Sequence, residues 1–474
     1  MVYLTISTSP FQSQVSDLLP CNNNSKSSLS FALLNAYGLL KYFDEVVSLP
    51  SSSINDLTPF HCKEYLKLVL DPELIKEASS DEVDRGWESL ALMAKDWGEL
   101  QSDEQSFAWF ENKKLLYEFY SHALGLEPCS EGESSVQCGE LGPSDPGSPQ
   151  RELLSGYNGG FSETGLDRRV LEKYGLSHDC YLFAYLPLYC QVIAGATLSL
   201  VRAACLRHER AISINWDGGR HHASRSRASG FCYINDIALL IQKLRRRGIR
   251  RISYIDFDLH HCDGVERAFQ HSQSVQTISV HLHEPGFFPG TGSLKEASVG
   301  KNVVNIPVQH GMDDTFLNQI VQRVIMPCIR SHNPEVLVIQ CGGDGLMGDK
   351  YKEWQLTIKG LVNNIMYIVR GFPATNVVML GGGGYNERLM SRFYTYLTWK
   401  VVEFSRGEGL KDPFDCEEDI IPDHEFIESY KDEFYKFWAY DIDGGKGKLL
   451  KNENDLDYVM RLAGFYNVRN KEVV

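Results

Sequence analysis

The sequence contains no CxxC pair and no repeat at a fixed period. Its first residues, "MVYLTISTS", do not form a basic stretch leading into an apolar core. No apolar run reads as long enough to span a bilayer. Neither a secretion signal nor a membrane helix is therefore expected. The twelve cysteines are scattered, several of them inside apolar runs (Cys205, Cys232, Cys341), as expected for reduced, buried thiols of an intracellular protein. Positive charge is also scarce. Lys and Arg number 47 against 62 Asp and Glu, for a net charge of −15. Direct nucleic-acid binding is disfavoured, because phosphate contact needs local positive charge. A basic protein partner is tolerated.

What is present suits one large α/β domain with insertions: 474 residues, 43% of them hydrophobic. "VYLTIS" reads as a strand and "SLSFALLNAYGLLKYF" as a helix. Residues 75–125 look helical and charged. Residues 126–168 are rich in Ser, Gly, Pro and Glu and read as loop or disorder, so about 75–168 is taken as an insertion. From 178 to 400 a rhythm sets in. Short β-branched runs ("AISINWDGG", "RISYIDFDLHH", "QTISVHLHEPG", "EVLVIQCGGD", "NVVMLGGGGY") alternate with helix-like segments such as "NDIALLIQKLRRRG" and "LTIKGLVNNIMYIV". That alternation implies a central, mostly parallel sheet covered by helices on both faces. Ligands of such sheets bind beyond the carboxyl ends of the strands, where the polar bursts fall.

The densest burst is "YIDFDLHHCDGVE", 254–266. If the strand persists, Asp256, Asp258 and His260 share one face. Asp258 and His260 offer a carboxylate and an imidazole suited to zinc, and Asp344 or Asp349 in "QCGGDGLMGD" could add a third ligand. Such a set with an open position would be catalytic. The alternative is a helix cap or an ion pair. His221 and His222 in "INWDGGRHHASRSRASGFCYIND" could act as acid and base if carboxylates orient them, and Asp256 and Asp263 are left over for that. In "GGGGYN", 381–386, the glycines admit close backbone approach and Tyr385 could polarise a carbonyl. No Lys-Ser/Thr follows, which argues against a P-loop. Phe287 and Phe288 in "EPGFFPGTG", with Phe231, could wall a narrow channel or merely fill core.

Taken in order, these motifs resemble the zinc-dependent class I histone deacetylases, an arginase/deacetylase-like fold, and look closest to the fungal Hos-type branch. The resemblance covers about 1–70 and 175–400 and returns in "IPDHEFIESYKDEFYKFW". It implies a catalytic domain over 1–400, interrupted by the insertion, and a 401–474 extension packing on it. Carried over residue by residue, it implies Asp258, His260 and Asp344 as ligands of one Zn2+. His221 paired with Asp256, and His222 with Asp263, would be the acid–base histidines. Tyr385 would bind the substrate carbonyl. Phe231 and Phe288 would wall the acetyl-lysine tunnel, with Gly230 on its floor, Tyr351 at its mouth and Asp179 at its rim. A structural K+ is implied near Asp256, Asp258, His260 and Ser279.

The implied reaction is hydrolysis of N-ε-acetyl-lysine on a histone tail or another chromosomal protein such as a cohesin subunit. Residence in the nucleus, and also the cytoplasm, is implied, with complex subunits meeting the insertion. An acetylpolyamine deacetylase, an arginase-like hydrolase with two metals and an inactive acetyl-lysine-binding scaffold are the rivals. Several positions depart from the family pattern. Cys262 replaces a glycine, so that a strained backbone or a redox-sensitive thiol is expected there. Lys26 replaces an arginine below the tunnel, Tyr351 a leucine or methionine, and Arg220 and Arg227 apolar and acidic residues. The basic N-terminal motif linked to inositol phosphate binding is absent. "KLRRRGIRR" is read as a helix end before a strand rather than an import signal.

Overall fold

In the computed structural model the β-branched runs lie side by side. Residues 2–22, 25–70, 168–183, 186–407, 410–414, 420–440 and 450–472 are described. The strands are β1 (Val2–Ser7), β2 (Glu45–Val47), β3 (Arg210–Asn215), β4 (Ile252–Asp256), β5 (Val275–Leu282), β6 (Val303–Val308), β7 (Val336–Gln340) and β8 (Asn376–Leu380). Their order is β2-β1-β3-β8-β7-β4-β5-β6, and every pairing is parallel. The eight-stranded sheet with helices on both faces is the α/β architecture expected. Two strands were not legible in the pattern. β2 is only three residues long at one edge, and β6 carries Pro307, which an edge strand tolerates.

Alternation explains the two-sided core. In β7, Leu337 and Ile339 join the apolar cluster on one face, and Val336 and Val338 join that on the other. The first face is covered by α2 (Lys26–Ala36), α6 (Ile358–Gly371), α7 (Glu387–Arg406) and α8 (Leu456–Glu472). The second is covered by α1 (Pro10–Asp17), α3 (Leu186–Ser199), α4 (Asp236–Arg246) and α5 (Asp263–Phe269). Described residues beyond 401 add Phe414, Tyr430, Phe437, Trp438 and Tyr466 to the first cluster. The run "DTFLNQIVQRVIMPCIRSH" is helical, with a π-helical turn at Val321–Ile325 just before Pro327, which lacks an N–H.

One expectation needs correction. One helical segment, Leu186–Ala204, is long and apolar enough to cross a membrane, although no apolar run was thought to be. Most of it is buried between the sheet and its neighbours, so its apolar character serves the core. The expected insertion at 75–168, with its charged helices, lies outside the described residues apart from Arg168, the first residue of a short helix ending at Tyr174. "KLRRRGIRR" forms the exposed end of α4 and the turn into β4, as expected.

Candidate active site

Four adjacent central strands, β3, β8, β7 and β4, deliver the candidate residues from their carboxyl ends. β3 leads to His221 and His222, β8 to the glycines and Tyr385, β7 to Asp344, and β4 to Asp256–Asp263. One expectation about β4 fails: the strand stops at Asp256, so alternation does not align Asp258 and His260. A tight loop does it instead. Asp256 Oδ1 accepts the N–H of Asp258 at 2.9 Å, and Asp258 Oδ1 accepts the N–H of His260 at 3.0 Å. Each short carboxylate captures the amide two residues on, a turn that Asp readily forms.

Ligand atoms of Asp258, His260 and Asp344 all lie within 4.8 Å of one another, and all three residues are buried. His260 Nδ1 is 2.9 Å from Asp344 Oδ2 and 3.1 Å from Asp258 Oδ1. The other oxygens are pinned from behind. Asp258 Oδ2 accepts from Gln340 Nε2 at 2.9 Å and from the Gly383 N–H at 2.8 Å, and Asp344 Oδ1 from the Leu259 N–H at 2.8 Å. The inner atoms thus converge on one point, backed by the outer hydrogen bonds that a divalent metal site needs. A Cβ at Gly383 would lie 2.5 Å from Asp344 and 2.7 Å from Asp258, so only glycine lets this strand end close over the cluster. Asp349, entertained as a ligand, does not join the cluster.

The two histidines sit beside it. His221 Nδ1 meets Asp256 Oδ2 at 2.8 Å, and His222 Nδ1 meets Asp263 Oδ1 at 2.8 Å. Asp256 also accepts the hydroxyl of Tyr254. Burial alone would discharge both rings. At His221, Asp256 and Asp258 outweigh it and raise the pKa to about 9. At His222, burial and the neighbouring His221 prevail over Asp263 and lower it to about 3. The two rings are thus pushed in opposite directions, each with a carboxylate at its Nδ1.

The aromatic residues surround the opening. The His222 ring stands edge-on to Phe288 with centroids 4.8 Å apart, and Phe231 lies 5.9 Å from Tyr385. Tyr351 lies 4.9 Å from His260 and 5.3 Å from Tyr385. Phe288 is 40% and Tyr351 37% exposed, so both border solvent. Gly230, with φ +53°, packs so tightly that a Cβ would fall 2.4 Å from the His222 ring. Its N–H donates to Oδ2 of the exposed Asp179 at 2.8 Å. Phe287, named with Phe288 as a residue that could wall a channel, stacks its ring on His260 with centroids 5.1 Å apart. Gln340 was missed, although a polar residue closing the apolar run "VLVIQ" was its signal.

The departures resolve individually. Cys262 has φ −76°, an ordinary angle, so its backbone is not strained. Its thiol is buried, and burial pushes its pKa up, the opposite of a reactive thiolate. Lys26 is buried, and its Nζ donates to the Gly382 carbonyl at 2.9 Å. Arg220 is buried beside it and lines the same small cavity, of about 20 Å3, as His221, His222, Phe231, Asp258 and Tyr385. That volume holds one water. Arg227 lies on the surface and donates to the Glu172 carbonyl at 2.9 Å.

The chain matches the histone deacetylase domain over residues 20–401. It is 46% identical over 488 residues to Histone deacetylase HOS1 of Saccharomyces cerevisiae, an alignment covering 99% of this chain and 100% of that protein. It is 40% identical to Histone deacetylase 8 of Xenopus tropicalis over 56% of this chain and 68% of that protein. With Histone deacetylase HDAC1 of Drosophila melanogaster it shares 41% identity over 48% of this chain and 44% of that protein. Eight parallel strands that carry paired histidines and an Asp-His-Asp cluster at one end thus have a common origin with these enzymes: the chain belongs to the histone deacetylase family and is a hydrolase of that kind.

Proposed function

We propose that this chain hydrolyses the amide of N-ε-acetyl-lysine in proteins, with one zinc ion held by Asp258, His260 and Asp344. The observation that carries this reading is the convergence of three inner ligand atoms beside two carboxylate-paired histidines. When bound, zinc would polarise the substrate carbonyl and lower the pKa of a bound water. The rest falls to the chain. Phe231 and Phe288 flank the aliphatic lysine stem above Gly230, with Tyr351 at the mouth and Asp179 at the rim. The Tyr385 hydroxyl donates to the carbonyl oxygen as negative charge builds on it. His222 is neutral and its Nδ1 faces Asp263, so its other nitrogen is free to take the proton of the attacking water. His221, held charged by Asp256, stabilises the developing anion. The C–N bond breaks, acetate leaves, and the lysine amine receives a proton from the histidine.

A potassium ion near Asp256, Asp258, His260 and Ser279 belongs to the same reading. Its support is that Ser279 stands directly opposite Asp256 in the β4–β5 register. We extend the reading to acetylated chromatin proteins as substrates, histone tails or a cohesin subunit. It places the protein in the nucleus, with a cytoplasmic share, and partner subunits at the insertion. The relatives' names support histones.

The test is metal content and turnover of acetyl-lysine peptides, wild type against His222→Ala. About one zinc per chain with turnover lost in the variant supports the reading. A chain without zinc, or turnover unaffected by the substitution, overturns it. Turnover of acetylated polyamines in place of peptides would replace the substrate class alone.

A further inference from the structure

The loop between Asp344 and Tyr351 carries a second buried carboxylate that no step above uses. Asp349 is fully buried. Its Oδ2 accepts the N–H of Tyr385 at 2.7 Å and that of Asn386 at 3.3 Å, while its Oδ1 accepts the N–H of Tyr351 at 3.1 Å. Both oxygens are therefore committed, each to a tyrosine at the opening. Neighbouring bonds reinforce the junction. Asn386 donates through Nδ2 to the Gly348 carbonyl at 2.9 Å, and its Oδ1 caps α7 by accepting the Leu389 N–H at 3.2 Å. Lys26 holds the same glycine loop from the other side, at the Gly382 carbonyl. The two loops come from neighbouring strands, β7 and β8, but few backbone bonds join them past the strand ends. The Gly343 N–H donates to the Gly383 carbonyl at 3.0 Å, and further out the Asp349 and Asn386 side chains bridge the loops.

We propose that Asp349 is a positioning residue: its carboxylate fixes the Tyr385 and Tyr351 backbones relative to each other and so sets where both phenol rings stand. It touches neither substrate nor metal and acts through the tyrosines. Burial pushes its pKa up, while the N–H groups it accepts pull the other way. An amide is a poor substitute. Asn offers one acceptor oxygen, and its NH2 would face a backbone N–H, so one loop or the other loses its anchor. Because a shift of about 1 Å in a catalytic group can cost on the order of a hundredfold in rate, the consequence falls on kcat.

The inference rests on Tyr385 donating to the substrate carbonyl, and the experiment separates the two. Wild type, Asp349→Asn, Tyr385→Phe and the double variant are compared for kcat and KM on an acetyl-lysine peptide, with zinc content and melting temperature alongside. Asp349→Asn is expected to lower kcat at least tenfold with zinc content retained. In the Tyr385→Phe background it should lower kcat no further, while the rise in KM expected from the displaced Tyr351 appears in both backgrounds. An indirect, purely structural role would instead multiply the two losses in kcat, and that result overturns the proposal. So does an Asp349→Asn enzyme with wild-type kcat while Tyr385→Phe is impaired. Full activity in Tyr385→Phe overturns the reading of Tyr385, and this proposal with it. If Asp349→Asn does not fold, Asp349→Glu, which keeps the charge but moves the oxygens by one methylene, goes through the same cycle with the same expectations.

Discussion

The two ends of the sheet are built from the same apolar strands and treat charge in opposite ways. At the carboxyl end Asp256, Asp258, His260, Asp263 and Asp344 are buried, and each is held by hydrogen bonds from another element or its own loop. At the amino end Arg207, Arg245, Arg246, Arg250 and Arg251 stand exposed around open concavities, one of about 900 Å3. That hollow is far larger than the space beside the histidines, yet it contains no paired acid and base. The difference is one of solvation. Exposed arginines keep their water and complement the carbonyl end of α4. Buried carboxylates have given theirs up, and at several kcal/mol per unpaired charge they persist only inside a closed network. Chemistry follows that network, not the size of the hollow.

The contrast is broken most directly by removing a network member. Asp344→Ala should lose zinc and lower turnover on the order of a thousandfold, because the Lewis acid contributes several kcal/mol to the reaction. Elemental analysis and a peptide assay check this. A variant with full zinc would show that the cluster is not the metal site.

Next in size is the pH response of His61, buried at the carboxyl side. Its Nε2 accepts the Asn235 N–H at 3.0 Å. Burial lowers its pKa to about 4. The folded chain keeps the ring neutral where the unfolded chain, with an ordinary value near 6.5, binds a proton. Its contribution is therefore intact above pH 6.5 and is lost as pH falls from 6.5 to 4, by on the order of 3 kcal/mol. Denaturant unfolding of His61→Gln across that window should show a shallower slope. An unchanged slope would place the acid sensitivity elsewhere.

A smaller effect is expected at Gly230. Gly230→Ala must hold φ +53° and crowd the His222 ring, so turnover should fall about tenfold while zinc stays bound. At the other end of the sheet, Arg245→Ser with Arg246→Ser should shift stability by no more than about 0.5 kcal/mol and leave turnover alone. A large loss there would mean that the amino end carries a function of its own.

Much of this was legible. Strand–helix alternation over 178–400 predicted the parallel sheet, because strands buried on both faces must be short and apolar throughout. "HH", "DFDLHH" and "GGGGY" stood out because charge and glycine at the end of a buried strand are costly unless used. Other features carried no local signal. β2 and β6 are edge strands, where pairing with one neighbour suffices. Asp349 read as a candidate metal ligand, since nothing in "GLMGDKY" says that its two oxygens meet amides of two separate segments. Cys262 looked anomalous in the sequence and turned out to occupy an ordinary backbone position.

The sequence by itself determined which residues could be strands, which end of each strand would be polar, and which side chains could bind metal or move protons, because those follow from side-chain chemistry and short-range periodicity. Only the tertiary structure decided that these carboxylates reach their histidines, that Asp258 and His260 converge through a loop and not along a strand, and that Asp349 braces the tyrosines. Those pairings join residues some tens of positions apart or turn on where a strand ends, and their strength comes from the removal of water, which only packing achieves.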